Sequence, residues 1–273
     1  MYEFDRSTPV TVVLRAQGGQ VEIVAEDRLT IEVSVQPMDA GSDAAVDAAA
    51  KTRVVLEDDT LLIQAPGSDH WLWRRTPKLR ITARVPAGSS LAAKSAAADV
   101  RVTGVLSTVQ VNVASADVEI TEATGDVHLD AASGDLAIAR VGGALRIKTA
   151  SGALRIGDVT GDVSADTASG NIRTGALAGS AKVSSASGDI EIGSLRQGTA
   201  TVRTASGDIQ VGVAAGAGVW MDLSTASGRS TSDLTAHGEQ PPAGQPTELE
   251  LRVRSASGDI HVHRAIESRK AAA

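Results

Sequence analysis

The tripeptide Ala-Ser-Gly recurs along this chain with its serine at positions 133, 151, 169, 187, 206, 227 and 257. The first three intervals are 18 residues each, and the later ones widen to 19, 21 and 30. Degenerate copies, Ala114-Ser115-Ala116-Asp117 and Ala96-Ala97-Ala98-Asp99, carry the same 18-residue step backwards. A half-step lies inside it, because glycines stand at 125, 134, 143, 152, 161, 170, 179 and 188. Two residues after most of them comes an apolar residue, and another follows two later, as in Leu136 and Ile138 or Ile190 and Ile192. Alternation with period two between glycines reads as a short, half-buried strand closed by a turn. A helix is excluded, since runs of four or five residues cannot sustain a 3.6-residue period.

The residue two before each glycine runs Val141, Ala150, Val159, Ala168, Leu177, Ala186. Large and small alternate, so the true unit is one 18-residue coil with a tight Ala-Ser-Gly corner and a bulkier one. Half a coil cannot bury its inward face alone, so coils must stack, each strand pairing with its copy in the next coil. At ~4.8 Å per strand, nine or so coils make a rod about 40 Å long. The expected fold is all-β, a single-stranded β-solenoid of about 18-residue coils.

Only 2% of the chain is aromatic, and Tyr2, Phe4, Trp71 and Trp73 all precede residue 95. Trp220 alone falls within the repeat. The core of the regular coils is therefore thin, which disfavours a roomy aromatic-lined pocket and a stacking platform for single-stranded nucleic acid. A net charge of −7 removes the electrostatic basis for nucleic-acid binding.

Residues 1–94 read as irregular β coils that begin and cap the solenoid, with alternation at Val10–Leu14, Val21–Val24, Ile31–Val35, Val54–Leu56, Leu61–Ile63 and Leu79–Val85. Ala44–Lys51 follows Ser42-Asp43, a plausible N-cap, and predicts one short helix. Regular repeats fill 95–264, interrupted at 235–248 by a Pro- and Gly-rich segment that reads as an exposed loop. Residues 265–273 form a C-terminal tail.

The string SGDIEIGSL, the segment VWMDLSTASGRSTSDL (219–234) and the ending VRSASGDIHVHRA (253–265) resemble a bacterial β-strand-repeat family named "putative adhesin", a domain of unknown function. PVTVVLRAQGGQVEIVAED (9–27) and LRITARVPAGSSL (79–91) match how its members begin. The resemblance implies a solenoid fold and carries no catalytic motif.

Several side chains invite a chemical reading. Asp99, Asp117, Asp135, Asp189, Asp208 and Asp259 follow the corner at the repeat period. Stacked carboxylates bind calcium in some β-rolls, but the order here is Ser-Gly-Asp, and Ala153, Asn171 and Arg229 break the column. A turn-forming Asp bonded to its own backbone is the preferred reading. His261 and His263 share one face of a strand and are weak metal candidates, against a polar outer face near the rod's end. Trp71, Trp73, Arg74 and Arg75 form the aromatic-basic cluster, read either as a contact surface or as a plug over the first coils. The repeated serines lack an adjacent histidine, so geometry explains them better than nucleophilic catalysis.

The sequence thus points to a non-enzymatic binding or scaffold module without catalytic residues or cofactors, with a protein partner or self-association. The alternative is a self-assembling scaffold like the bactofilins, polymerising end to end. No stretch approaches the ~18 apolar residues of a membrane span. Acids among Met1–Asp5, where an export signal needs positive charge, set the expectation of a cytoplasmic protein.

Overall fold

The computed structural model describes residues 1–66, 77–234 and 249–265. Strands β1 (Tyr2–Asp5), β2 (Thr11–Glu26) and β3 (Thr30–Pro37) precede helix α1 (Asp43–Lys51), and β4 (Arg53–Glu57), β5 (Thr60–Gln64) and β6 (Leu79–Pro86) follow it. The long β7 (Ser90–Leu106) then leads into coils of two short strands. These are β8 (Val109–Ser115) with β9 (Val118–Ala123), β10 (Val127–Ser133) with β11 (Leu136–Val141), and β12 (Leu145–Ser151) with β13 (Leu154–Val159). They continue as β14 (Val163–Ser169) with β15 (Ile172–Leu177), β16 (Ala181–Ser187) with β17 (Ile190–Leu195), and β18 (Gly198–Ser206) with β19 (Ile209–Val213). Last in sequence come β20 (Val219–Ser227) and β21 (Ser230–Ser232), then β22 (Leu249–Ser257) and β23 (Ile260–Arg264).

The fold is the β-solenoid that the glycine period implies. From β7 to β19, each strand pairs in parallel with its copy one coil on, as in Leu129↔Ile147 and Ile138↔Ile156. Inward positions make unbroken apolar columns. One runs Val100, Val118, Leu136, Leu154, Ile172, Ile190, Ile209 and Ile260. Every member is at most 1% exposed. The tight corner demands glycine. Gly152 has φ +123, and a Cβ there would overlap the carbonyl oxygen of Gly134 in the coil beneath. The step of 19 is absorbed at the corner after Leu195, where Gly198 takes φ +91; β16 and β18 stay in register, whereas the β17–β19 ladder shifts by one residue between Ile192 and Leu195.

At its ends the rod departs from sequence order. Beyond β18 and β19 the next coil is β22 and β23, and β20 and β21 stack outside them. Ser257 therefore lies between Ser206 and Ser227. The other end is arranged likewise, with β2 lying between β7 on one side and β5 and β6 on the other. Strict stacking in chain order thus fails at both ends; at the C-terminal one, three coils share the Ala-Ser-Gly corner, so the motif does not itself dictate which of them are adjacent.

The N-terminal end is closed. β4 pairs antiparallel with β5, β3 pairs antiparallel with β6, and β1 pairs antiparallel with β3. α1 packs against β3 and β6 through buried Ala45 and Ala48. The Ser42 hydroxyl caps this helix, accepting from the Ala45 N–H at 3.4 Å. Tyr2 and Phe4 lie half-buried against the core, and Leu61 and Ile63 beneath these layers have no exposed surface. β7 runs unbroken through residues 94 and 95 and pairs with β2 over nearly its whole length, so the first coils and the regular ones share one sheet.

Candidate interaction surfaces

The carboxylate column is the most regular polar feature. Asp117 Oδ1 accepts from the backbone N–H of Asp135 at 2.8 Å, and Asp135 Oδ1 from that of Ala153 at 2.9 Å. Asn171 does the same for Asp189, Asp189 for Asp208, Asp208 for Asp259 and Asp259 for Arg229. Each side chain thus bonds the following coil in the stack, not its own turn as the sequence reading preferred. The bond needs an acceptor oxygen and no charge, which is why Asn171 serves. The column also tolerates Ala153 and Arg229, whose N–H groups still donate. The Ala153 N–H holds the Asp135 carboxyl below its ordinary range; burial opposes it, and the Arg155 guanidinium adds to the lowering. A second column of this kind marks the opposite corner, where Asp126 accepts from Ala144 and Asp162 from Ser180.

Serines and threonines are spent in the same way. Ser115 and Ser133 share a hydrogen bond of 3.0 Å between hydroxyls, on the outside of the corner. Inside it runs a column that the sequence reading passed over: Thr149, Thr167, Ser185, Thr204 and Ser255, each 6–8% exposed. The Thr149 hydroxyl donates to the Ser151 carbonyl at 3.0 Å, and that of Thr204 to the Ser206 carbonyl at 3.2 Å. Its signal is a Thr or Ser immediately before Ala-Ser-Gly in these coils. Thr149 and Thr204 thus brace the turn from within, whereas the Thr167, Ser185 and Ser255 hydroxyls are buried without a hydrogen-bond partner among the described residues.

His261 and His263 project from β23 with ring centroids 5.5 Å apart and planes 26° from parallel. His261 meets the Thr231 hydroxyl through Nδ1 at 3.0 Å and the Asp233 carboxylate through Nε2 at 3.4 Å. His263 Nδ1 donates to the Arg264 carbonyl at 2.9 Å. Stacked rings do not point their lone pairs at a common centre. Among the described residues, no three His, Cys, Asp or Glu side chains form a metal-holding group. Trp71, Trp73, Arg74 and Arg75 lie outside the described residues, as do the 235–248 segment and the tail beyond Ala265.

Two open grooves lie side by side on the sheet that includes β2, β7, β8, β10 and β12. One, of about 750 Å³, is lined by Gln110, His128 and Arg146 among others. Its neighbour, of about 760 Å³, includes Lys94, Asn112 and Lys148. His128 Nε2 and Asp130 Oδ2, 2.8 Å apart, stand between them. On the other sheet, charges pair between coils, as in Arg101–Glu119 at 2.9 Å and Arg173–Glu191 at 3.0 Å. These pairs are exposed and worth ~0–1 kcal/mol each.

The family model Toastrack DUF4097 matches residues 11–270. The chain belongs to the Toastrack family. A search of curated proteins found no match. Solved structures similar to this Toastrack chain include one described as a "putative adhesin" from Bacteroides fragilis, 16% identical, covering 95% of each chain with a TM-score of 0.43. Another, described as a "putative lipid binding protein" from Parabacteroides distasonis, is 11% identical and covers 97% of this chain and 96% of its own, with a TM-score of 0.45. At these scores the likenesses carry no argument about ligands. Among the described residues of the Toastrack chain, no helix is long and apolar enough to cross a membrane.

Proposed function

We propose that this protein is a non-enzymatic binding module, and that its ligand-facing surface is the grooved sheet that carries Lys94, Asn112, Gln110, Arg146 and Lys148. The observation that carries this reading is the division of labour among polar groups. The recurrent Asp and Asn side chains of the corner are tied up between coils, whereas the two grooves present side chains at coil spacing on an open face. Open grooves exclude water poorly and so suit recognition of an extended partner better than catalysis. The partner class is a protein or another chain-like molecule that can lie across several coils.

The test pairs a broad activity screen with affinity capture. No turnover is expected, and turnover abolished by a single point change overturns the reading. Arg146→Glu with Lys148→Glu should strip the captured material while leaving the thermal midpoint within a few degrees; an unchanged capture moves the site elsewhere. Cell fractionation separates a cytoplasmic module, the compartment proposed here, from an exported adhesin. End-to-end polymerisation of the bactofilin kind is disfavoured because one end of the rod is already closed by antiparallel strands and a helix.

A further inference from the structure

The two coils that end the stack are finished differently. At the N-terminal end the outermost strands are β1 and β4, four and five residues long, with Glu3, Asp5, Arg53 and Glu57 exposed on them. Short, charged edges of this kind discourage pairing with another chain. At the other end β20 is nine residues long, and Asp222 is its single charge. Among the described residues β20 pairs on one side alone, with β22. Its inward residues Val219, Met221 and Leu223 occupy the columns filled one coil below by Leu249, Leu251 and Val253. Those three have no exposed surface, whereas Val219, Met221 and Leu223 remain half-buried.

The other half of the same coil is adapted to water. On β21, Ser230 and Ser232 replace the Ile260 and Val262 of the coil beneath, and both serines are exposed. Trp220 lies half-buried on the outer face of β20 under the Arg252 guanidinium, 5.9 Å from the ring centroid, and Asp222 lies 3.7 Å from Arg254. The outer face of β20 is thus provided for and its edge and inner face are not. Residues 235–248 include Pro241, Pro242 and Pro246, which have no N–H to give to a ladder.

We propose that the free edge of β20 pairs with β20 of a second copy of this chain, joining two rods tail to tail about a two-fold axis. Two observations and a symmetry argument select this occupant. The edge is long and almost uncharged, so a strand is its natural complement. Among the described residues, the closed end of another copy offers only short, charged edges, so the edge in a second copy that matches is β20 itself. A two-fold is self-complementary and terminates at two copies. It also brings the half-exposed Val219, Met221 and Leu223 of both rods against one another, which extends the core across the junction and leaves the serines of β21 beside it. This association is independent of the grooved face, and its failure would leave the binding reading standing.

The experiment is sedimentation or light scattering over a concentration series, read together with hydrogen exchange. Expected are a doubling of mass with rising concentration and slower exchange of amides 219–227 in the dimer than in the monomer. Leu223→Lys should hold the mass at one chain at every concentration, while Ser224→Lys, on the exposed outer face, should still double. Should Leu223→Lys fail to fold, the exchange of 219–227 in the wild type decides. A wild type that stays monomeric at its highest soluble concentration overturns the proposal. So does a dimer whose 219–227 amides exchange as in the monomer, or a mass that climbs past two copies. Dimerisation that appears only after deletion of residues 266–273 would assign the edge to the chain's own tail, and likewise overturn it.

Discussion

The two ends of this rod solve one problem in opposite ways. A stack of identical coils must stop somewhere, and its last inward side chains must be covered or face water. At the closed end, three antiparallel strands and a helix are laid over the first coils, and Leu61 and Ile63 are 0% exposed. At the open end the coil is tapered instead: Ser230 and Ser232 take inward positions, and Val219, Met221 and Leu223 keep part of their surface. Capping invests chain length in a fully buried first coil, whereas tapering leaves an edge that is weakly held and available. The contrast teaches that the repeat sets the rod, and that irregular sequence at each terminus decides whether an end is sealed.

Ending the chain at residue 248 breaks this comparison most severely. β22 and β23 are the coil on which β20 and β21 stack, so their removal should release both coils, not one. Limited proteolysis should then cut throughout residues 219–234; protection there would contradict the stacking order. Corner glycines come next. Gly152→Ala forces a Cβ against the Gly134 carbonyl at a left-handed φ and should cost roughly 3 kcal/mol or more. Gly216→Ala, at φ +81 with open space around its Cβ, should cost only about 1–2 kcal/mol by denaturant titration. Equal losses would remove the close approach between coils as the reason for glycine.

Leucine truncation compares the ends directly. Leu61→Ala under the cap should lose about 2–5 kcal/mol, and Leu223→Ala in the tapered coil less than about 2 kcal/mol in dilute monomer. The smallest effect belongs to the carboxylate column. Asp135→Ala should cost about 1 kcal/mol, mostly the bond from the Ala153 N–H since the exposed pair with Arg155 is worth little, while Asp135→Asn, which keeps that bond as Asn171 does, should cost less at pH 7. Because the folded state holds the Asp135 carboxyl below its ordinary pKa of about 3.9, its contribution is complete above that value. That contribution disappears as pH falls through the lower folded value. The wild type should therefore lose more stability on acidification than Asp135→Asn; parallel pH curves would remove the ionised carboxylate from the account.

How far the sequence reveals this molecule follows from which interactions are local. The coil period, the strand-turn alternation and the Ser42-capped helix rest on neighbouring residues, and all are legible. The order of coils at the ends is not, because Ser206, Ser227 and Ser257 sit in the same motif and nothing local says which pair is adjacent. The Asp column is visible as a periodicity, yet its partner lies one coil away, so a same-turn bond is the natural but wrong local inference. His261 and His263 do share a face, stack, and His263 bonds the adjacent Arg264 carbonyl, but the Thr231 and Asp233 partners of His261 are products of the end arrangement. The grooves combine columns from several coils and have no signature in any one repeat.

The asymmetry between ends is measured most directly by hydrogen exchange of residues 60–64 and 219–227 in the same dilute sample. Buried strands under the cap should open only with global unfolding, whereas the tapered strand should exchange through local opening. The account predicts protection in β20 lower than in β5 by several orders of magnitude. Equal protection of the two strands in dilute monomer, or stronger protection of β20, would contradict it.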